Sequence, residues 1–137
     1  MWLTPRSAKA DTKRIVEEYD VRTPSIDVLA SALSGGNQQK LIVGREMSGE
    51  PKLLIAAHPT RGVDVGAQAA VWESLREAKR QGKGLLLVSA DLDELIGLSD
   101  RLLVMLRGSI VAALDPQEIS AAELGAYMTG VRMQETV

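Results

Sequence analysis

The sequence predicts an α/β fold in which short buried strands alternate with helices. Short apolar runs bounded by turn residues alternate with longer segments whose apolar residues recur at helical spacing. Aromatic residues make up only 3% of the chain and Phe is absent, so the core must be built from Leu, Ile, Val, Ala and Met. The 137 residues are enough for one small domain.

The N-terminal part is predicted to be helical. Residues 1–6 are expected to form a lead-in, and residues 7–19 a helix. Thr23-Pro24 is expected to end this helix, because the residue before a proline leaves the helical region. Residues 24–33 then connect to the next element.

A second helix is predicted from Asn37 to about Met47, with Gly49 as its stop signal and Glu50-Pro51 beyond it. A helix that packs on a core needs an apolar side. The residues expected to form that side are Leu41, Ile42, Val43 and Met47.

The middle of the chain is predicted to be a strand, a loop and a helix. Residues 52–57 form an apolar run that is typical of a strand buried on both faces, as in a parallel sheet. A loop over 58–64 leads into a helix over 65–81, and Gly82 is its expected cap. The residues expected to lie along the buried side of this helix are Ala69, Trp72, Leu75 and Ala78.

The remaining elements follow the same alternation. Ser120 and Glu123 have the spacing of a capping box, which predicts a last helix ending near Gly130. Asp91, Asp93 and Glu94 suit the positive end of a short helix, although three acids could also indicate a metal site. The expected elements here are strand 85–88, helix 91–98, strand 102–106 and strand 109–114.

Ser34, Gly35 and Gly36 are expected to lie at the N-terminus of the second helix. The first N–H groups of a helix have no partner within it, and the macrodipole is positive there. Such an end binds anions, phosphate above all, and glycine lets a phosphate approach the backbone closely. A loop and helix cap without any ligand is the alternative interpretation.

The whole stretch from Leu33 to Lys40 reads Leu-Ser-Gly-Gly-Asn-Gln-Gln-Lys. It resembles the signature motif of ABC-type ATPases, in the form found in sugar and nucleoside importers, and the resemblance extends from about Val21 to Gly130. It implies part of a P-loop NTPase core, with a mostly parallel sheet flanked by helices and part of the helical signature subdomain at the N-terminus. The implied segments are 1–50 from the signature subdomain, 51–130 from the C-terminal half of the core, and 131–137 as a tail.

One motif of the family is absent from the sequence. No Gly-x-x-x-x-Gly-Lys-Ser/Thr phosphate loop occurs anywhere in it. The family carries that loop well upstream of the signature, so the resemblance implies the second half of a nucleotide domain. The first half would supply further strands of the sheet, and without them a sheet edge is left uncovered.

The resemblance also implies that this half has lost its own hydrolytic residues. Ala57 stands where the family has the Mg²⁺-binding aspartate, and His58 stands where it has the catalytic glutamate. Ala90 replaces the switch histidine. His58, the only histidine, could act as a base near neutral pH, but a loop histidine that packs against a partner domain is the other interpretation. No catalytic residue and no metal ligand is therefore assigned.

Two motifs keep the family form, and in the family both act across a dimer interface. The signature implies that Ser34, Gly35, Gly36, Asn37 and Gln38 contact ATP bound to a partner domain. Thr60 to Asp64 resembles the D-loop, with Gly62 and Asp64 as its key residues. ATP and Mg²⁺ would then be held mainly by the other nucleotide domain. The implied partners are that domain, a transmembrane permease and, indirectly, an extracytoplasmic binding protein.

Composition excludes several other classes. The net charge of −2 does not suggest nucleic-acid binding, and the lack of Cys excludes disulfides. No apolar run is long enough to span a bilayer, and Met1 to Arg6 is too polar for a signal peptide, which favours a cytoplasmic protein on the inner face of the membrane. A regulatory ABC-like module that binds no nucleotide is the main alternative function. A DNA-repair or chromosome ATPase is a further one, which the acidic charge and the lack of coiled-coil heptads disfavour.

Overall fold

The computed structural model describes residues 5–134 and confirms the α/β class. A short 3₁₀ turn, Ala30–Ala32, lies in the connection before the second helix. The helices are α1 (Pro5–Glu18), α2 (Gly35–Met47), α3 (Val65–Arg80), α4 (Leu92–Leu98) and α5 (Ala121–Met128). The strands are β1 (Leu53–Ala57), β2 (Gly84–Val88), β3 (Leu102–Leu106) and β4 (Ser109–Leu114).

The chain divides into two compact units, one ending at Leu86 and the other beginning at Leu87. Strand β1 pairs with β2 in a small parallel sheet, and β3 pairs with β4. The segments 1–50, 51–130 and 131–137 stay predictions. Residues 1–4 of the predicted lead-in and residues 135–137 of the predicted tail lie outside the described residues.

Helix α1 begins and ends earlier than predicted. It begins at Pro5, so the predicted lead-in was wrong for residues 5 and 6; a proline fits the first turn because its missing N–H needs no partner there. It ends at Glu18, well before Thr23-Pro24. Asp20 takes the left-handed conformation, with φ of 47°, and the Val21 N–H donates to the Val16 carbonyl at 2.9 Å. A left-handed residue closes the helix, so the proline is not needed to end it.

Helix α2 packs against α1 at a glycine rather than through the predicted apolar side. Ile42 is 45% exposed, so its predicted burial was wrong. Gly44 is buried instead, and a Cβ added there would lie 2.5 Å from Ile15 Cγ2. The helix ends at Met47, and the left-handed residue beyond it is Glu50 rather than the predicted Gly49.

Helix α3 buries a different stripe from the one predicted. Ala69 is exposed, so its predicted burial was wrong, whereas Leu75 and Ala78 are buried as expected. Gly82 has a φ of 77°, and the Lys83 N–H donates to the Ala78 carbonyl at 3.1 Å, which confirms the predicted glycine cap. The buried residues of the helix are Ala67, Val71, Leu75 and Ala78.

The strands β1 and β2 are not buried on both faces, so that prediction was wrong. Leu53 and Ile55 are 59% and 63% exposed, and Leu86 is 52% exposed. Ala56, on the other side of β1, is buried. A parallel sheet buries both faces only when further elements cover each face. A larger core would cover the apolar residues on the exposed face of β1.

The second unit is a hairpin covered by helices. Arg107 and Gly108 both have positive φ, 50° and 83°, which is the geometry of a two-residue turn that suits the twist of a hairpin. Asp91 caps α4, and its carboxylate accepts a 3.0 Å hydrogen bond from the Glu94 N–H, as predicted. The predicted capping box of α5 is also confirmed. The buried apolar core of this unit is Leu102, Val104, Ala112 and Leu124.

The packing of α1 on α2 generates a testable prediction. Gly44→Ala should destabilise the chain by about 1–3 kcal/mol, because the new methyl group overlaps Ile15 Cγ2 and Tyr19 Cδ2, at 2.5 and 2.8 Å. Gly49→Ala is the matched control, since a Cβ there meets nothing within 4 Å. Urea denaturation of both variants measures the difference. Equal stability of the two variants would contradict the proposed close packing.

Candidate functional site

The turn that opens α2 is built around Ser34. Ser34 is the N-cap, with φ of −61° and ψ of 156°, and its hydroxyl oxygen accepts hydrogen bonds from the backbone N–H and the side-chain amide of Asn37, at 3.4 and 3.0 Å. The helix therefore begins at Gly35, two residues earlier than predicted. Ser34 and Gly35 are exposed, and Gly36 is buried.

The N–H groups of this first turn are placed for an anion. The Gln38 N–H donates to the Ser34 carbonyl at 2.9 Å, which begins the helical pattern, and the Asn37 N–H is used by the cap. The N–H groups of Gly35 and Gly36 precede that pattern and have no carbonyl partner within the helix. The positive end of a 13-residue helix adds to their attraction for negative charge.

Asn37 and Gln38, both predicted to contact ATP, also hold the turn in place. The Asn37 side-chain oxygen accepts a 2.8 Å hydrogen bond from the Arg22 N–H. The Gln38 side-chain amide donates to the Leu33 carbonyl at 2.8 Å. Each side chain thus connects the helix to a preceding segment, and their contact with a nucleotide stays a prediction.

Lys40 connects the signature helix to the end of α1. Its Nζ donates to the Asp20 carbonyl at 2.9 Å and to the Asp20 carboxylate at 3.1 Å. The hydrogen bond from Lys40, together with its charge, holds the pKa of Asp20 below its ordinary value. No local sequence pattern predicts this pair, because the two residues are 20 positions apart.

The predicted D-loop lies between β1 and α3. Asp64 is the N-cap of α3, and its carboxylate accepts a 2.9 Å hydrogen bond from the Ala67 N–H. Gly62 has a φ of 76°, a conformation that glycine adopts without strain. The Arg61 N–H donates to the His58 carbonyl at 3.1 Å. The loop is therefore a turn that leads directly into a capped helix.

The structure brings the signature turn and the D-loop together within the first unit. A Cβ added to Gly35 would lie 3.3 Å from the Gly62 carbonyl oxygen. A Cβ added to Gly36 would lie 2.5 Å from the Ala67 Cβ and 3.7 Å from the Asp64 carboxylate. Gly36 thus permits a close approach that a Cβ would block, whereas a Cβ at Gly35 would make a tight contact with the loop backbone. The Gln39 side-chain amide adds a hydrogen bond to the Pro59 carbonyl.

The three positions with altered chemistry lie outside this contact. Ala57 is the last residue of β1, and His58 follows it with a φ of 49°, exposed to solvent. Ala90 belongs to the second unit, in the exposed turn before α4. Within residues 5–134, no group of three or more Asp, Glu or His side chains is arranged to hold a metal ion. Asp91, Asp93 and Glu94, which lie among these residues, do not form such a group.

Solved structures define the class of protein. An ATP-binding cassette of an ABC transporter superposes with a TM-score of 0.74 over 98% of this chain, at 24% identity, and the chain covers 53% of it. A nucleotide-free ABC transporter cassette is 27% identical with a TM-score of 0.68, over 77% of this chain and 42% of its own length. The chain therefore has the fold of about half of an ABC-type ATPase cassette.

Curated relatives define the type more closely. The guanosine import ATP-binding protein NupO of Bacillus subtilis is 50% identical over 123 residues, which is 90% of this chain and 24% of that protein. The glucose import ATP-binding protein TsgD13 of Haloferax volcanii is 45% identical over 89% of this chain and 22% of its own length. No family model matches the chain. The chain is thus similar to a segment of ABC transporter ATP-binding proteins whose names describe sugar or nucleoside import, and it spans about a quarter of the length of these relatives.

A search for membrane spans gave a negative result. No helix among residues 5–134 is both long and apolar enough to cross a bilayer.

The contact between Gly36 and Ala67 generates a testable prediction. Gly36→Ala should destabilise the chain by about 1–3 kcal/mol, because its methyl group overlaps the Ala67 methyl group. Ala67→Gly alone should cost about 1 kcal/mol of helix propensity. The double variant should be about as stable as Ala67→Gly alone, because the remaining neighbours of the new Cβ lie 3.7 Å away or more.

Denaturant unfolding of the four proteins gives the coupling energy of this double-mutant cycle. A coupling of the same size as the single Gly36→Ala loss is expected. Strictly additive effects would show that the two residues do not meet.

Proposed function

We propose that this chain acts in the ATP-binding subunit of an ABC importer for simple sugars or nucleosides. In this proposal it supplies the signature motif to ATP that is held mainly, with Mg²⁺, by a partner nucleotide domain. Its own hydrolytic site is degenerate. The other partners are a transmembrane permease and, through it, an extracytoplasmic substrate-binding protein, and the subunit lies on the inner face of the cell membrane.

The observation that carries this proposal is the exposed turn at Ser34 and Gly35, backed by the D-loop. The Gly35 N–H group and the Ser34 hydroxyl belong to exposed residues at this positive helix end. A donor set of this kind suits the terminal phosphate of a nucleotide, which offers only acceptors and negative charge. In this proposal, the phosphate loop that holds the rest of the nucleotide belongs to the partner domain.

The altered positions support a donor role without hydrolysis at this domain's own site. The Ala57 methyl group cannot bind a cation, and the other residues near the end of β1 provide no cluster of ligands. His58 offers an imidazole where the family has a carboxylate, and it sits on a left-handed turn. Motifs that serve a neighbour's nucleotide are kept, whereas those that serve the chain's own nucleotide are changed.

The proposed mechanism uses the donors of the signature turn. When ATP binds on the partner domain, the Gly35 N–H group and the Ser34 hydroxyl donate to its terminal phosphate. Mg²⁺ held by that partner would neutralise phosphate charge. Because Gly62 and Asp64 lie against the glycines of this turn, closure over the nucleotide also brings the D-loop to the interface. Closure and reopening of the two domains would drive the permease.

The substrate class rests on the relatives. The names of the most similar curated proteins describe import of guanosine, glucose, nucleosides, and galactose or methyl galactoside. Their identities to this chain are 50% for the guanosine protein, 45% for the glucose protein, 43% for the nucleoside protein and 38% for the galactoside protein, so the proposal keeps both sugars and nucleosides as substrate classes.

A regulatory ABC-like module without nucleotide is the second candidate. The changes at Ala57 and Ala90 favour it, because each removes a polar group that a hydrolytic site needs. The complete signature turn argues against it, because a module that never meets a nucleotide has no need of exposed N–H donors at Gly35.

The first test is a chimera. The 123-residue matching segment of the Bacillus subtilis guanosine import protein is replaced by this chain, and ATPase activity and guanosine uptake are measured with its permease. Ser34→Arg should lower both activities to less than about one-tenth, because the longer side chain fills the phosphate position and removes the hydroxyl. Ser109→Arg, at an exposed serine of the second unit, is the matched control. Unchanged activity in the Ser34→Arg chimera would refute the proposal.

The second test uses the chain itself. MgATP at millimolar concentration should leave its melting temperature unchanged to within about 1 °C, because a ligand stabilises only a state that binds it. Adding a phosphate-loop-bearing nucleotide domain should produce association that depends on ATP. A saturable shift with MgATP alone would contradict the donor role, and His58→Ala would then show whether that residue belongs to the new site. Association that is indifferent to ATP would favour the regulatory module.

A further inference from the structure

We propose that Gln39 is a positioning residue that fixes the loop from His58 to Asp64 to the signature helix, so that both motifs meet a nucleotide as one rigid surface. The inference deepens the proposed function and rests on it for the nucleotide. It assigns Gln39 a role that the signature motif by itself does not specify.

The directions of the motif's polar side chains are the first argument. Four consecutive helical residues point in four directions about 100° apart, so they cannot all face one ligand. Asn37 holds the Arg22 N–H, Gln38 holds the Leu33 carbonyl, and Lys40 holds Asp20. All three of those partners precede α2 in the chain. Gln39 reaches the other way, to the Pro59 carbonyl, 20 residues further along.

The left-handed conformation at the start of the loop is the second argument. His58 has a φ of 49°, which is unfavourable for a residue with a side chain. Hydrogen bonds within the loop run from the Arg61 N–H to the His58 carbonyl at 3.1 Å, and from the Val63 N–H to the Thr60 carbonyl at 3.3 Å. Neither of these bonds uses the Pro59 carbonyl. The amide of Gln39 therefore secures the loop at the residue that follows the strained His58.

The second attachment of the loop is the third argument. The close approach of Gly36 to Ala67 fixes the beginning of α3, at the far end of the loop. One contact restrains a segment against displacement but allows it to pivot, whereas two separated contacts also fix its orientation. Gln39 at Pro59 and Gly36 at Ala67 are such a pair. Both lie on α2, within three residues of each other.

The geometry is tested first in the chain itself, by hydrogen exchange without nucleotide. Gln39→Leu removes the donor, and Gln39→Glu keeps the size but replaces the N–H by an acceptor. Both should raise exchange of peptides covering residues 58–64 by about tenfold, the effect of losing one hydrogen bond, while peptides from α1 stay unchanged. Gln81→Leu is the matched control, because Gln81 donates a 3.0 Å hydrogen bond to Glu77 on the surface of α3.

Two outcomes overturn the assignment. Exchange at 58–64 in both Gln39 variants that matches the Gln81→Leu control would show that the loop does not depend on Gln39. A uniform rise that includes α1 would show a general loss of stability instead of a local attachment. The isosteric Gln39→Glu variant decides the question if the leucine variant fails to fold.

The effect of the hydrogen bond from Gln39 to Pro59 on ATP hydrolysis is tested in the guanosine-import chimera. Gln39→Leu should lower kcat for ATP hydrolysis about tenfold and change KM for ATP less than about twofold, because the donors at Ser34 and Gly35 remain. Equal losses in kcat and in ATP affinity, or unchanged kcat, would overturn the positioning role. The Ser34→Arg result is independent of this one. It decides whether the turn meets a nucleotide at all, whereas the exchange experiment decides whether Gln39 holds the loop.

Discussion

The close approach of two helix N-termini is the constraint on which the candidate site depends. The first turns of α2 and α3 meet where Gly36 faces Ala67, at a distance that leaves no room for a second methyl group. Both helix ends are positive, so their approach is electrostatically unfavourable unless negative charge lies nearby. Asp64 supplies that charge, because its carboxylate caps α3 and also lies close to Gly36. Ser34, a neutral cap, leaves the end of α2 positive for an incoming anion.

In this arrangement, the groups that the candidate site offers to a ligand come mostly from the backbone. The groups offered to a ligand are N–H groups and one hydroxyl, and most polar side chains of the signature are engaged within the chain. Because these hydrogen bonds already order the side chains, ligand binding loses little further side-chain conformational entropy. The donors of a backbone site of this kind do not depend on the side chains at Ala57 and Ala90.

The exposed apolar strands show how much of the fold this chain contains. Leu53 and Ile55 are more than half exposed, although they lie in a sequence that is typical of a fully buried strand. The chain covers about half of the solved cassettes. In a parallel sheet, each face needs its own covering layer, so strands selected for burial on both faces remain exposed when one layer is missing. The second unit differs, since its hairpin has helices packed on one face and a core of its own.

Local sequence signals determined the elements and the candidate anion-binding end of α2. Periodicity gave the helices and strands, and spacing gave the caps at Asp91, Ser120 and Gly82, because each depends on residues within about one helical turn. The signature and D-loop were recognisable for the same reason, as contiguous residue patterns.

The tertiary structure alone decided how those patterns combine. Sequence reasoning placed Ala69 in the buried stripe of α3 and Ile42 in that of α2, but both are exposed, although Leu75, Ala78 and Met47 are buried as predicted. Glycine, which carries no hydrophobic signal, forms the contact surface at Gly36 and Gly44. The bonds from Gln39 to Pro59 and from Lys40 to Asp20 span 20 residues, and no local propensity encodes a partner at that separation. Contacts of this kind depend on which faces of the helices and loops pack together, and only the folded unit determines this packing.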